Sequence, residues 1–230
     1  ILLQPVLYNG GLYNEAEYAM SSAGAGSQNI QNSSKAYGMN TKFMNAYLVL
    51  NKLPELTKIE EGDGNTFMMM DNDTPHEPTL LQKPDYVPQR EIDNTDYDKA
   101  HPNDYTINGI EMHMDNLNQI THYHVNVATY MQLTKWFDYL RENDVYDNTR
   151  IILVSDHGRG LDQFKERNLD NGFDIEWFNC FLMVKDFNQE GFKTDYTFMT
   201  NGDVPELATK DVVKDAKNPF TGRPISGYSK

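Results

Sequence analysis

Apolar residues recur along this chain at two spacings, and each spacing predicts a different element. From Asn40 onward, Phe43, Met44, Tyr47, Leu48 and Leu50 repeat at helical intervals, and Leu53-Pro54 predicts the end of that helix. Thr121 to Asn143 repeats the helical interval over a longer span. Val125, Ala128, Thr129, Gln132, Leu133, Trp136, Phe137 and Leu140 form one largely apolar face, with Lys135, Asp138, Arg141 and Glu142 opposite. Continuous apolar runs predict buried strands instead, at Thr66-Phe-Met-Met-Met-Asp71, at Ile151-Ile-Leu-Val154 within residues 150–155, and at Trp177 to Lys185. A helix, a short connection through Asn143-Asp144 and Asp147-Asn148, and an apolar strand predict a parallel α/β unit. The expected fold class is therefore α/β, a mainly parallel central sheet with helices on both faces.

Elsewhere the pattern lapses. Residues 1–39 form an irregular N-terminal segment rich in Gly, Ser, Asn and Ala, with a short helix expected at Tyr13 to Met20 and a loop from Ser21 to Ser34. Residues 40–230 make up the main domain. Glu60 to Asn65 is a turn cluster, and residues 79–120, punctuated by Pro84, Pro88 and Pro102, read as an ordered excursion over the surface. A charged loop is expected at 159–176. Asp203-Val-Pro-Glu starts a helix with Asp as N-cap and Pro in the first turn, ending near Lys210, and the tail from Asn218 is rich in turns.

Composition narrows the classes. With 39% hydrophobic and 23% charged residues, the chain can bury a core and is not broadly disordered. A net charge of −14 argues against a nucleic-acid partner, which needs a basic face, but not against an anionic substrate held through a cation. Cys180 is the single cysteine, so neither an intramolecular disulfide nor a cysteine metal site can form, and it reads as a small core residue. No apolar run approaches the roughly 20 residues a bilayer requires. Ile1-Leu-Leu-Gln-Pro lacks the charged start of a signal peptide and an initiator Met, so the chain is expected to be a processed product or part of something longer.

The chemistry centres on Ser155-Asp-His-Gly158, immediately after an apolar strand. Open α/β sheets bind ligands at that edge, and Asp with His is an ordinary ligand pair for a divalent metal. The plain alternative is a strand-end turn with Asp156 capping backbone amides and His157 exposed. His76, in Asn72-Asp-Thr-Pro-His-Glu-Pro, otherwise reads as a surface histidine. His122 and His124, two apart on a helix, cannot share a metal and are expected to be structural or exposed. His101 and His113 have no partner at ligand spacing, and Asp71, Asp73 and Asp85 read as solvated acids. Ser155 does not sit in a Gly-x-Ser-x-Gly elbow, and no phosphate-binding glycine loop occurs.

Five segments carry a family resemblance. They are Thr66-Phe-Met-Met-Met-Asp-Asn-Asp-Thr-Pro-His-Glu-Pro, Trp136-Phe-Asp-Tyr-Leu-Arg-Glu-Asn with Tyr146-Asp-Asn-Thr, Ile151 to Gly158, Asp203-Val-Pro-Glu-Leu-Ala-Thr, and Asn218-Pro-Phe-Thr-Gly. Over roughly residues 40–226 the order of parts resembles the C-terminal half of the alkaline phosphatase–sulfatase superfamily. It is closest to the membrane-anchored group of lipoteichoic acid synthases and phosphoethanolamine transferases. The resemblance implies that Asp156 and His157 bind a divalent metal (Mn, Zn, Mg or Ca), that His76 contacts the sulfate or phosphate group, and that a Thr or Ser hydroxyl is the nucleophile. It implies an anionic ester substrate, a sulfated glycan or a phospholipid or teichoic-type headgroup. It also implies a place on the extracytoplasmic face of the membrane, anchored by helices upstream.

The nucleophile and the remaining ligand of such domains belong to their N-terminal half. Ser21-Ser22, after the expected short helix, is the hydroxyl candidate upstream, and no strand-end acid precedes it. The loop 158–185 also lacks the further histidine of many relatives. The chain is accordingly expected to be the C-terminal part of a longer enzyme, silent alone, with apolar surface that favours self-association or docking of the missing half. A non-catalytic domain binding an anionic glycan or lipid headgroup is the alternative.

Overall fold

A computed structural model describes residues 28–62, 64–218 and 220–225. Its contacts divide the chain into two units, Ile1–Tyr139 and Leu140–Lys230.

In the N-terminal unit, β1 (Asn29–Asn32), β2 (Lys35–Tyr37) and β3 (Glu91–Asp93) form an antiparallel sheet in that order. Part of the segment expected to be irregular is thus a hairpin. Asn32 Oδ1 accepts from the amides of Ser34 and Lys35, so the polar residues read as loop close a tight turn. The expected helix at Tyr13 to Met20 and the Ser21-Ser22 pair lie outside the described residues.

Helix α1 (Thr41–Asn51) begins where expected, because Asn40 accepts the amide of Phe43 and caps it. Leu53-Pro54 does not stop the chain from turning helically. It opens α2 (Leu53–Leu56), with Pro in the first turn where no amide partner is needed. After α3 (Thr95–Ala100) and the small hairpin β4 (Thr106–Ile107) and β5 (Ile110–Glu111) comes α4 (Leu117–Glu142), within which the two units divide. Its start precedes the expected one because Asn116 and Gln119 cap each other: Asn116 Oδ1 accepts from the Gln119 amide at 3.1 Å, and Gln119 Oε1 accepts from the Asn116 amide at 3.2 Å. One core cluster joins Phe43 and Tyr47 of α1 to Val125 and Ala128 of α4 through Leu81 and Tyr86, and a second joins Ala36, Leu80, Ile92 and Ile120.

Residues 79–94 therefore belong to the core rather than to a surface excursion. Their polar side chains serve the buried backbone. Asn94 accepts from the Lys83 amide at 2.9 Å and donates to the Leu81 carbonyl at 2.9 Å. The Lys83 side chain, 1% exposed, donates to Asp98 (3.0 Å), Asp104 (2.8 Å) and the Tyr105 hydroxyl (3.1 Å). Those partners hold its ammonium well above the ordinary lysine range although burial alone would lower it.

His122 and His124 are buried rather than exposed. His124 Nδ1 accepts from the Leu81 amide at 3.0 Å, so that nitrogen carries no proton. Burial, with Lys83 nearby, pushes the imidazole down to about 3.

Thr66 to Asp71 is not the buried strand its composition predicts. Phe67 is 78% and Met69 84% exposed, and no described strand pairs with the run. An apolar sequence becomes a strand only when another strand accepts its backbone groups, and none of the described residues does.

In the C-terminal unit, β6 (Ile151–Val154) lies where expected. The expected strand at Trp177 is shorter, because residues 175–178 turn as a 3₁₀ helix before β7 (Leu182–Lys185). β6 and β7 pair antiparallel, Ile151 opposite Lys185 and Val154 opposite Leu182. The expected parallel central sheet is not seen among the described residues, where every strand pair is antiparallel. A parallel neighbour needs a crossover, usually a helix, whereas only 3₁₀ turns at Lys165–Arg167 and Ile175–Phe178 separate β6 from β7. Helix α5 (Val204–Thr209) follows at the predicted place. Phe178, Phe192, Tyr196, Phe198 and Phe220 are largely exposed, the apolar surface the sequence led one to expect. Among the described residues no helix is long and apolar enough to cross a membrane.

Candidate functional site

Asp156 and His157 leave the end of β6 in a turn fixed from three directions. Backbone pairing continues one residue past the strand, with the Ser155 amide donating to the Phe181 carbonyl at 3.0 Å and Ser155 Oγ accepting the Phe181 amide at 2.7 Å. Asn201 Nδ2 donates to the carbonyls of both Ser155 (3.0 Å) and Asp156 (2.9 Å). The turn that presents Asn201 is closed by Asp203, whose carboxylate accepts from the Thr200 amide at 2.7 Å. Asp203 thus caps the turn before α5 rather than α5 itself.

The third contact is close approach. The Gly158 amide donates to the Trp177 carbonyl at 3.0 Å. A Cβ on Gly158 would lie 1.9 Å from the Glu176 carbonyl oxygen, and one on Gly160 2.1 Å from Trp177 Nε1. Both positions must be glycine for residues 158–160 to lie against residues 176–179.

This packing aims the side chains. Asp156 Oδ1 accepts the His157 amide at 2.9 Å, leaving Oδ2 outward on a carboxylate that is 88% exposed. His157 Nδ1 lies 2.6 Å from the Gly158 carbonyl, which can only accept, so Nδ1 donates and Nε2 is the nitrogen left to serve as a ligand atom. A backbone carbonyl in this role is the usual second partner of a metal-binding histidine. Nε2 and Asp156 Oδ2 are 3.6 Å apart. Two ligand atoms on one tetrahedral ion are separated by about 3.4 Å, given bonds near 2.1 Å, so the donor pair fits a divalent cation. No group of three His, Cys, Asp or Glu residues converges on a metal position among the described residues.

Two further side chains stand beside the pair. The His157 and Trp177 rings are 6.3 Å apart, and the Arg159 guanidinium lies 5.3 Å from the same indole. Neither Arg159 nor Trp177 was a sequence candidate. The signal available was Gly158-Arg-Gly160, an arginine between two glycines directly after the Asp-His pair. Cys180, expected in the core, is half-buried with its thiol 3.5 Å from the Asp156 carbonyl. Burial, then neighbouring Asp174, raises the Glu176 carboxyl above its ordinary range.

His76 belongs to the N-terminal unit and lies in an anchored turn. Asn72 donates to the Ala46 carbonyl of α1 and accepts from the Thr74 amide, both at 3.0 Å, while Thr74 is fully buried. The imidazole is left 61% exposed, with Nδ1 3.4 Å from Glu77. The structure therefore brings Asp156 and His157 together and describes His76 separately. His101 stacks on Tyr97 at 4.1 Å, a local helix-end contact.

No curated protein and no solved structure matches the chain. The family model described as sulfatase matches residues 8–205, most of its length and the whole of the Asp156-His157 turn, and the chain belongs to the sulfatase family.

Proposed function

We propose that this chain is part of a metal-dependent hydrolase or transferase that cleaves sulfate or phosphate esters, with Asp156 and His157 as two of the metal ligands. The family acts on such esters and generally uses a divalent metal. The observation that carries the reading is the His157 geometry: Nδ1 at the Gly158 carbonyl leaves Nε2 as the ring nitrogen facing Asp156 Oδ2 at 3.6 Å. A divalent cation at the pair would activate a hydroxyl nucleophile and neutralise charge on the transferred group. A Thr or Ser hydroxyl upstream of this chain serves as that nucleophile. His76 donates a hydrogen bond to a non-bridging oxygen of the substrate. The substrate is a sulfated glycan or a phospholipid or teichoic-type headgroup, met on the extracytoplasmic face of a membrane. In this reading the whole domain carries the mainly parallel sheet of the resemblance, with the antiparallel β6–β7 pair as one part of it.

The test uses the complete protein. Asp156→Asn and His157→Gln are expected to lower bound Mn²⁺ and turnover of p-nitrophenyl sulfate or phosphate together, by at least about tenfold. Unchanged metal content and turnover in the double variant would refute the assignment. Metal bound without turnover of any ester by the wild type would favour a binding domain instead.

A further inference from the structure

The guanidinium beside the ligand pair is conspicuous for what it leaves open. Arg150, in the same unit, is fully engaged: it donates to Asp186 and to the carbonyls of Leu207 and Lys210. Arg159 makes no hydrogen bond or ion pair among the described residues; its contact is the face of Trp177. An exposed arginine in a chain of net charge −14 would ordinarily find a carboxylate or move freely in water. This one rests on a wall built for it. Trp177 is fixed by the Gly158 amide on its carbonyl and by Gly160, which has no side chain where the indole nitrogen sits. His157 rests against the same indole. A cation–π contact of this kind uses none of the guanidinium N–H groups, which stay free to take two oxygens of a tetrahedral anion at once.

We infer that Arg159, laid on Trp177, binds the sulfate or phosphate group of the substrate through paired hydrogen bonds, next to the Asp156-His157 pair. The inference rests on the proposed ester chemistry of that pair, but anion binding by Arg159 needs no metal. A guanidinium fork accepts either tetrahedral anion, so the two are tested separately.

The chain has two tryptophans, and Trp136→Phe leaves Trp177 as the sole one. In chelator, at constant ionic strength maintained with chloride, inorganic phosphate and inorganic sulfate are titrated in separate arms while Trp177 emission is followed. A saturable change is expected with at least one anion, and the arm with the lower dissociation constant names the preferred group. Arg159→Gln should weaken it about tenfold, and Arg159→Lys, which keeps charge but not the fork, should fall between. Asp156→Asn should not weaken this anion affinity, since it removes a neighbouring negative charge, while abolishing Mn²⁺ binding of the complete protein measured separately by electron paramagnetic resonance. Arg159-dependent anion binding without Mn²⁺ binding by the complete wild-type protein would sink the metal reading alone. Equal affinity in wild type and Arg159→Gln, or no Trp177 response to either anion, would overturn the inference about Arg159.

Discussion

Acid should unfold the N-terminal unit through His124. This imidazole is wholly buried, accepts the Leu81 amide through Nδ1, packs edge-on against Tyr86 at 5.0 Å, and is neutral because burial and then Lys83 push it down to about 3. Its folded value lies below its unfolded value of 6.5. The folded state thus binds fewer protons, and the stability that follows is complete above the unfolded value and lost as pH falls toward the folded one. Between about pH 7.5 and pH 5 the unfolded imidazole gains most of a proton and the folded one almost none, a loss of about 2 kcal/mol. His124→Asn keeps an acceptor for Leu81 but cannot titrate. Urea unfolding followed by Trp136 fluorescence in a Trp177→Phe background reads the N-terminal unit. The variant should start less stable at neutral pH and then lose about 2 kcal/mol less than its parent on acidification. Equal losses in parent and variant would refute the reasoning, because every other titrating group is shared.

Two other outcomes are expected from single substitutions. Gly158→Ala drives a methyl into the Glu176 carbonyl, 1.9 Å away, and should cost about 1–3 kcal/mol of C-terminal-unit stability by Trp177 fluorescence in a Trp136→Phe background. No loss would mean that the turn can swing off residues 176–179. Lys83→Met leaves Asp98 and Asp104 facing each other without their cation; both retain some solvent, so a loss of about 2–3 kcal/mol is expected in urea, somewhat below the roughly 3–5 kcal/mol typical of broken, fully buried pairs. Because the Lys83 value is raised on folding, its contribution is complete below the unfolded value of 10.5 and fades only as pH climbs beyond it, so the Lys83→Met penalty should be flat from neutral to mildly alkaline pH.

How far the sequence foretold this structure depends on where each element's partner lies. Helix α4 and the strand-turn at 151–158 were legible because their signals are local: a repeating apolar face in one, four apolar residues ending at Ser-Asp-His-Gly in the other. Thr66 to Asp71 has an equally apolar sequence and is not a strand, since composition does not reveal whether another strand will accept its backbone. Residues 79–94 looked like surface because they hold Pro, Lys, Gln and Asn; the structure uses those polar groups to satisfy a buried backbone. The antiparallel return of β7 was hidden for a related reason. Gly158 and Gly160 draw residues 176–179 against the turn, and that contact, distant in sequence, sets the direction of the next strand. The Asp156-His157 turn was readable as a strand-end feature; its neighbours Arg159, Trp177 and Asn201 become visible only when the chain folds back.

The clamp around Asp156 and His157 also bears on assembly. Ser155, Gly158, Trp177, Phe181 and Asn201 all lie in one unit and, among the described residues, supply the backbone contacts that hold the two proposed ligands. Ordering a residue's backbone costs about 1–2 kcal/mol, and here folding of the C-terminal unit has already incurred that cost for both ligands. The remaining ligand and the nucleophile would then meet a rigid half-site, so metal uptake should behave as the joining of two prepared surfaces rather than as the ordering of a loop.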